Sequence, residues 1–153
     1  MKTRTALMAL CVSAAALTGC SSTPLKTPEQ IAAARQTLNG SWTLTKASDI
    51  AEIPSSILLT LHPDTAKDSD KLNVSGFSGV NHFVGSATIS WSDQHLVFGA
   101  LATTRKMGPE PRMKFETELL KQLGEVGNFK LQGDTLTLKT LAGNTLTFAK
   151  GAQ

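Results

Sequence analysis

Asn128-Phe129-Lys130-Leu131-Gln132-Gly133-Asp134-Thr135-Leu136-Thr137-Leu138-Lys139-Thr140-Leu141-Ala142-Gly143-Asn144-Thr145-Leu146-Thr147-Phe148-Ala149 carries apolar and polar side chains in strict turn. Leu136 and Leu138 alternate with Thr135, Thr137 and Lys139, and Leu146 and Phe148 alternate with Thr145 and Thr147. A period of two sends successive side chains to opposite faces, so each run reads as a strand with one buried side. Gly133-Asp134 and Ala142-Gly143-Asn144 supply the turns between strands over Asn128 to Gln132, Thr135 to Leu141 and Thr145 to Ala149. Three strands so joined predict an antiparallel meander resting on a core.

Moving toward the N-terminus, Pro111 opens a helical period. Phe115, Leu119, Leu120 and Leu123 fall on one face, and Gly124 stands where a left-handed cap is expected. Before it, Ala87 to Trp91 and His95 to Phe98 predict a hairpin around Ser92-Asp93-Gln94. Leu72, Val74 and Gly76 alternate, Pro63 to Asp70 is a polar loop, and Ile57 to Leu61 reads as a buried strand. Trp42, Leu44 and Lys46 alternate with Ser41, Thr43 and Thr45 in a first strand. A short N-terminal helix over residues 28–39 precedes it: Thr27 is its cap, Pro28 suits the first position, Gln30 completes a capping box, and Asn39-Gly40 ends it. The expectation is an α+β fold, mostly an antiparallel β meander curling toward a partial barrel, with one packed helix.

The first nineteen residues are of another kind. Lys2 and Arg4 precede an apolar stretch from Ala6 to Leu17, and Leu17-Thr18-Gly19-Cys20 closes it. That order is a signal peptide, and the last four residues resemble the lipobox of bacterial lipoproteins, in which the cysteine is acylated and becomes the first residue. Residues 1–19 are therefore expected to be removed, and residues 20–27 to form a lipidated tether. Ser21 follows Cys20, and by analogy with lipoproteins the lack of aspartate there favours the outer membrane, with the domain facing the periplasm. Without Lys2 and Arg4, the fifteen cations fall to thirteen against twelve acids. No nucleic-acid footprint survives that near balance, and no nucleic-acid partner is expected. Cys11 leaves with the leader and Cys20 is the lipidation site, so the domain keeps no thiol for a bridge. With two tryptophans and no tyrosine it also lacks the aromatic richness of a base- or sugar-stacking surface.

Four pieces in order bear a family resemblance. Leu38-Asn39-Gly40-Ser41-Trp42-Thr43-Leu44 is similar to the L-x-G-x-W-x-L opening of META domains, the family of the heat-inducible, HslJ-like lipoproteins. Gly76-Phe77-Ser78-Gly79-Val80-Asn81-His82-Phe83-Val84-Gly85 resembles its G-x-x-G-C-N-x-F-x-G segment. Thr103 to Pro109, then Met113 and Glu116, resemble its T-x-M-A-C stretch and a helix bearing M-x-x-E. The closing G-x-x-L-x-L and G-x-x-L-x-F runs match Gly133 to Leu138 and Gly143 to Phe148. The resemblance implies a META domain over residues 38–151 and an association with stress. It also implies that Val80 and Gly108, which stand at the family's two cysteine positions, lie close together.

Gly76, Gly79, Asn81, Phe83 and Gly85 are the most specialised residues. A phosphate cradle would need its glycine loop to lead into a helix with a lysine, whereas this one leads into a strand. They read as a structural turn motif, with Asn81 bracing the backbone and Phe83 plugging the core. His62, His82 and His95 lack the short spacing of metal ligands, and no metal or other cofactor is expected. Asp64, Asp68 and Asp70 lack the order of a calcium loop. Glu116 is expected to face Arg105 or to cap a backbone group. Arg105, Lys106, Arg112 and Lys114 around Met107 to Met113 form a basic loop, read chiefly as solvated and secondarily as a contact for anionic headgroups or cell-wall polymers. No nucleophile, base and oxyanion donors assemble, so no enzyme is expected. Two readings follow: a non-enzymatic, membrane-anchored lipoprotein of envelope integrity or stress tolerance, or a pilot-like lipid- or peptide-binding module or inhibitor of an envelope enzyme. The partner common to both is membrane lipid, through acylated Cys20; an envelope protein or lipid is the further partner of the second.

Overall fold

The computed structural model describes residues 27–65 and 69–151, so the leader, Cys20, its tether up to Lys26, and Asp68 lie outside the described residues. Helix α1 (Pro28–Leu38) starts with the capping box its sequence encodes. Thr27 Oγ1 accepts from the Gln30 N–H at 3.2 Å, and Gln30 Oε1 accepts from the Thr27 N–H at 3.2 Å. Asn39 caps its C-terminus, and Gly40 at φ 126° turns the chain into the first strand. Lys150 Nζ donates to the Thr37 and Asn39 carbonyls, placing a cation at the negative end of the helix.

Nine strands follow: β1 (Gly40–Ala47), β2 (Leu58–Pro63), β3 (Lys71–Phe77), β4 (His82–Ser90), β5 (His95–Phe98), β6 (Ala102–Thr103), β7 (Val126–Gln132), β8 (Thr135–Thr140) and β9 (Thr145–Lys150), with helix α2 (Glu110–Gly124) between β6 and β7. Pairing runs β3-β2-β1-β9-β8-β7-β5-β4, and β4 pairs back onto β3, so eight antiparallel strands close a barrel. The expected partial barrel is thus corrected to a closed one. Closure depends on the pairing of β5 with β7, through His95 opposite Asn128 and the Phe129 N–H bonded to the Gln94 carbonyl at 2.9 Å. Alternation shows that a strand has a buried face, but not which distant edge it meets.

β6 continues β5 along β4 with one residue to spare. Phe98 lies opposite Ala87 and Thr103 opposite Phe83, so five steps along one strand face four along the other. The surplus is a bulge, and it explains Gly85: a Cβ there would stand 2.7 Å from the Ala100 carbonyl and from Leu101 Cδ2. A second bulge, at Thr45, resets β1. Lys46 consequently lies exposed and Ala47 packs on the core, not the reverse that strict alternation predicts.

Trp42, Leu59, Leu61, Leu72, Ile89, Leu96, Leu136, Leu138, Leu146 and Phe148 fill the barrel from its strands. The helices belong to opposite mouths. At the mouth where β1 begins, α1 buries Ala34 and Leu38, and the indole of Trp42 donates to the Leu38 carbonyl at 2.9 Å. Trp91, expected inside a strand, lies just past β4 at this mouth, with the Arg35 guanidinium 5.8 Å from its ring centre. At the other mouth α2 buries Phe115, Leu119 and Leu123. Its end differs from expectation: Gly124 is its last residue, and Glu125 at φ −98° returns its N–H to the carbonyls of Gln122 and Leu123, so no left-handed cap is needed.

Candidate functional site

At the α2 mouth the chain reverses from β3 to β4 through Ser78-Gly79-Val80-Asn81. The Ser78 N–H donates to the Asn81 carbonyl at 2.9 Å, and Gly79 takes φ 114°, a value that favours glycine. Glu116 on α2 reaches this turn with only 6 % of its surface exposed. One carboxylate oxygen accepts from Ser78 Oγ at 2.6 Å, from the Asn81 N–H at 2.7 Å and from the Val80 N–H at 3.3 Å. The other accepts from Asn81 Nδ2 at 2.7 Å.

Asn81 then carries the network outward. Its Oδ1 accepts from Thr104 Oγ1 and from the Lys106 N–H, each at 2.7 Å, and its Nδ2 also donates to the Lys106 carbonyl at 3.2 Å. One carboxamide therefore grips both backbone groups of Lys106. Glu116 is met by donors and no cation; among the described residues the ion pairs are Lys114–Glu110 and Lys121–Glu118. Of the two roles expected for Glu116, it caps backbone groups. Burial pushes its pKa up, but the bonds from Ser78, the Asn81 side chain and the Asn81 and Val80 amides outweigh burial and hold it below the ordinary carboxylate value. An ionised carboxylate saturated by donors holds α2 to the turn, Asn81 extends the hold to Thr104 and Lys106, and the carboxylate is poorly placed to accept a proton from a substrate.

Of the five residues singled out in the sequence, Gly79 and Asn81 lie in the turn itself, while Gly76 is in β3 and Phe83 and Gly85 are in β4. Gly76 and Phe83 face each other in register, and a Cβ on Gly76 would meet the Phe83 ring at 2.3 Å and the Leu58 carbonyl at 2.2 Å. Val80 and Gly108 are in contact: a Cβ on Gly108 would stand 3.4 Å from Val80 Cβ and 2.6 Å from its Cγ2. Sequence reasoning missed Ser78, Thr104 and the Lys106 backbone as partners of Asn81. Nothing in the spacing of residues 78, 81, 104, 106 and 116 joins them; the family pattern marked Asn81 and Glu116, but in separate pieces.

The histidines are not brought together. His62 and His95 lie toward the α1 mouth, His62 Nδ1 being 2.8 Å from Asn39 Oδ1, and His82 packs near Phe77 at the α2 mouth. Asp64 Oδ2 accepts from Ser69 Oγ at 3.2 Å, and no group of three His, Cys, Asp or Glu is placed to hold a metal ion among the described residues. No helix of the described residues is long and apolar enough to cross a membrane. Arg105, Lys106, Arg112 and Lys114 are exposed, as the basic loop requires, and Met107 is 90 % exposed.

The META domain family model matches residues 35–153 of this chain. The chain belongs to the META domain family. A protein from Burkholderia xenovorans, solved by NMR, is 30 % identical and superposes with a TM-score of 0.62 over 79 % of this chain and 88 % of that one. A second NMR structure is 23 % identical, with a TM-score of 0.51 over 82 % and 95 % of the two chains. A crystal structure of a DUF4847 family protein from Bacteroides vulgatus shares the fold at 12 % identity, with a TM-score of 0.50 over 76 % and 96 %. No curated protein matches. The contact of Val80 with Gly108 gives this META domain the proximity that the family's cysteine positions imply, achieved by packing.

Proposed function

We propose that this META domain is the non-enzymatic, periplasm-facing part of a lipoprotein held in the outer membrane by acylated Cys20, serving envelope integrity or stress tolerance. The observation that supports this reading is the use made of the most specialised residues: Glu116 and Asn81 spend their polar groups on one another and on the chain's own backbone. A filled barrel also favours it over the alternative of a lipid tail held inside the sheet, because Trp42, Leu61, Leu136 and Phe148 occupy that space. Attachment then falls to the N-terminal cysteine. Acyl chains contribute about 0.8 kcal/mol per buried CH₂, and stable anchoring takes more than one signal or chain.

Fractionation of cells expressing Cys20→Ser tests the anchor. The variant is expected to lose the outer-membrane fractionation of the native protein, and an unchanged outer-membrane distribution would contradict the reading. The role in stress is tested separately. Cells lacking the gene should become more sensitive to envelope-directed stress, and the Cys20→Ser chain should fail to restore them.

A further inference from the structure

No strand of the barrel contains an aspartate or glutamate; among the described residues every acid lies in a helix, turn or loop. The lysines of the strands are Lys46, Lys71, Lys130, Lys139 and Lys150, and on the outer wall over β2, β3 and β4, where Lys71 alone of them lies, this acid-free surface becomes apolar. Leu58 lies opposite Phe77 and Phe77 opposite His82, while Thr60, Ser75, Val84 and Ala102 form the next row. Leu58 is 38 % and Val84 56 % exposed, and the small Ser75 leaves a shallow depression of about 220 Å³ between them. At the rim beyond, the Thr104 N–H bonds the His82 carbonyl at 3.0 Å, and Arg105, Lys106 and Met107 project from that point. The Asn81 carboxamide holds the Lys106 backbone by both its groups, so Met107 is displayed from an anchored loop. At the far end of β3, Lys71 is also exposed, with Asp70 beside it and the Asp64 N–H bonded to its carbonyl at 3.0 Å, so the net cationic end is the 104–107 rim.

We propose that this wall and the loop over residues 104–107 form a membrane-facing surface, on which the barrel lies along an anionic phospholipid bilayer. Met107 enters the headgroup layer, and Arg105 and Lys106 meet lipid phosphates. A surface apolar in the middle, with no acid on its three strands and cationic at the 104–107 rim, complements such a layer in both polarity and charge. The inference rests on the lipid-anchor reading, since the acyl chain brings the wall to the bilayer. The seven residue-to-residue steps from Cys20 to Thr27 reach about 25 Å when extended, close to the roughly 30 Å span of a nine-residue strand. The anchored domain is therefore able to lie on its side.

The test uses the full acylated chain in phosphatidylcholine vesicles with and without phosphatidylglycerol, their acyl chains brominated to quench tryptophan. Met107→Trp reports the proposed surface, and Thr137→Trp reports β8, on the opposite side of the ring. Native Trp42 and Trp91 are buried and add little background. Quenching at position 107 is expected to exceed that at 137 several-fold in phosphatidylglycerol vesicles, and the excess should fade in added salt. Each cation at an anionic surface strengthens attachment about fivefold. Arg105→Gln with Lys106→Gln should therefore remove most of the difference. Equal quenching at the two positions, or an excess indifferent to phosphatidylglycerol and salt, overturns the proposal. The mass of the same samples reports acylation. A chain without acyl groups would sink the anchor reading alone, and adding vesicles to it still tests the wall by the same comparison.

Discussion

Glu116 is an anion buried without a cation, and hydrogen-bond donors alone keep it charged. Its folded pKa lies below the ordinary value of 4.5, so the ionised group contributes stability above that value and loses it as pH falls through the folded one. Glu116→Gln replaces an acceptor by an NH₂ that must face donors. It should cost about 2–4 kcal/mol near neutral pH, measured by urea denaturation. The gap between the native protein and the variant should narrow as the solution is acidified; a constant gap from pH 7 to pH 3 would mean that the carboxylate's charge plays no part. Asn81→Ala removes the link from Glu116 to Thr104 and Lys106 and is expected to cost about 3 kcal/mol. Asn81→Asp should cost more, because it sets a second carboxylate against Glu116. An unchanged melting temperature in Asn81→Ala would remove the bracing role.

Among the elements, the β3–β4 turn and the loop before α2 are joined by packing of Val80 on Gly108. The distance of 3.4 Å between Val80 Cβ and a Cβ built on Gly108 is within about 0.1 Å of disulfide range. Val80→Cys with Gly108→Cys should therefore form a bridge on oxidation and stabilise the domain by about 3–4 kcal/mol, chiefly by restricting the unfolded chain. Two free thiols under oxidising conditions, found by thiol titration, would contradict the placement. Gly108→Ala alone should destabilise, since its methyl group meets the Val80 side chain at 2.6 Å. Gly85→Ala should cost about 1–3 kcal/mol by crowding the β5–β6 bulge, again read by denaturation. The elements themselves were largely legible. Thr27, Pro28 and Gln30 spelled out the start of α1, and the leucine–threonine alternation gave β8 and β9. The bulges at Thr45 and after Phe98 were not legible, because each shifts the alternation by one residue close to a strand end, where too few residues follow to show the new phase. Gly124 misled for a related reason: glycine permits a left-handed cap but does not compel one.

For the whole molecule, eight strands form a ring with a helix over each mouth, and the ring closes through β5 and β7. Closure was beyond the reach of sequence periodicity, as was the assembly of Ser78, Asn81, Thr104 and Glu116, which depends on α2 returning to the β3–β4 turn. The family pattern marked Asn81 and Glu116 in two separate pieces, and only the fold shows that they meet. A barrel so filled and braced suits the proposed reading, in which acylated Cys20 sets the protein's location. That location is tested most directly by intact mass spectrometry of the protein purified from its native membrane. The account predicts a chain that begins at Cys20 and is heavier than its sequence by the mass of acyl chains. A chain beginning beyond Cys20, or beginning at Cys20 with a free thiol, would contradict it.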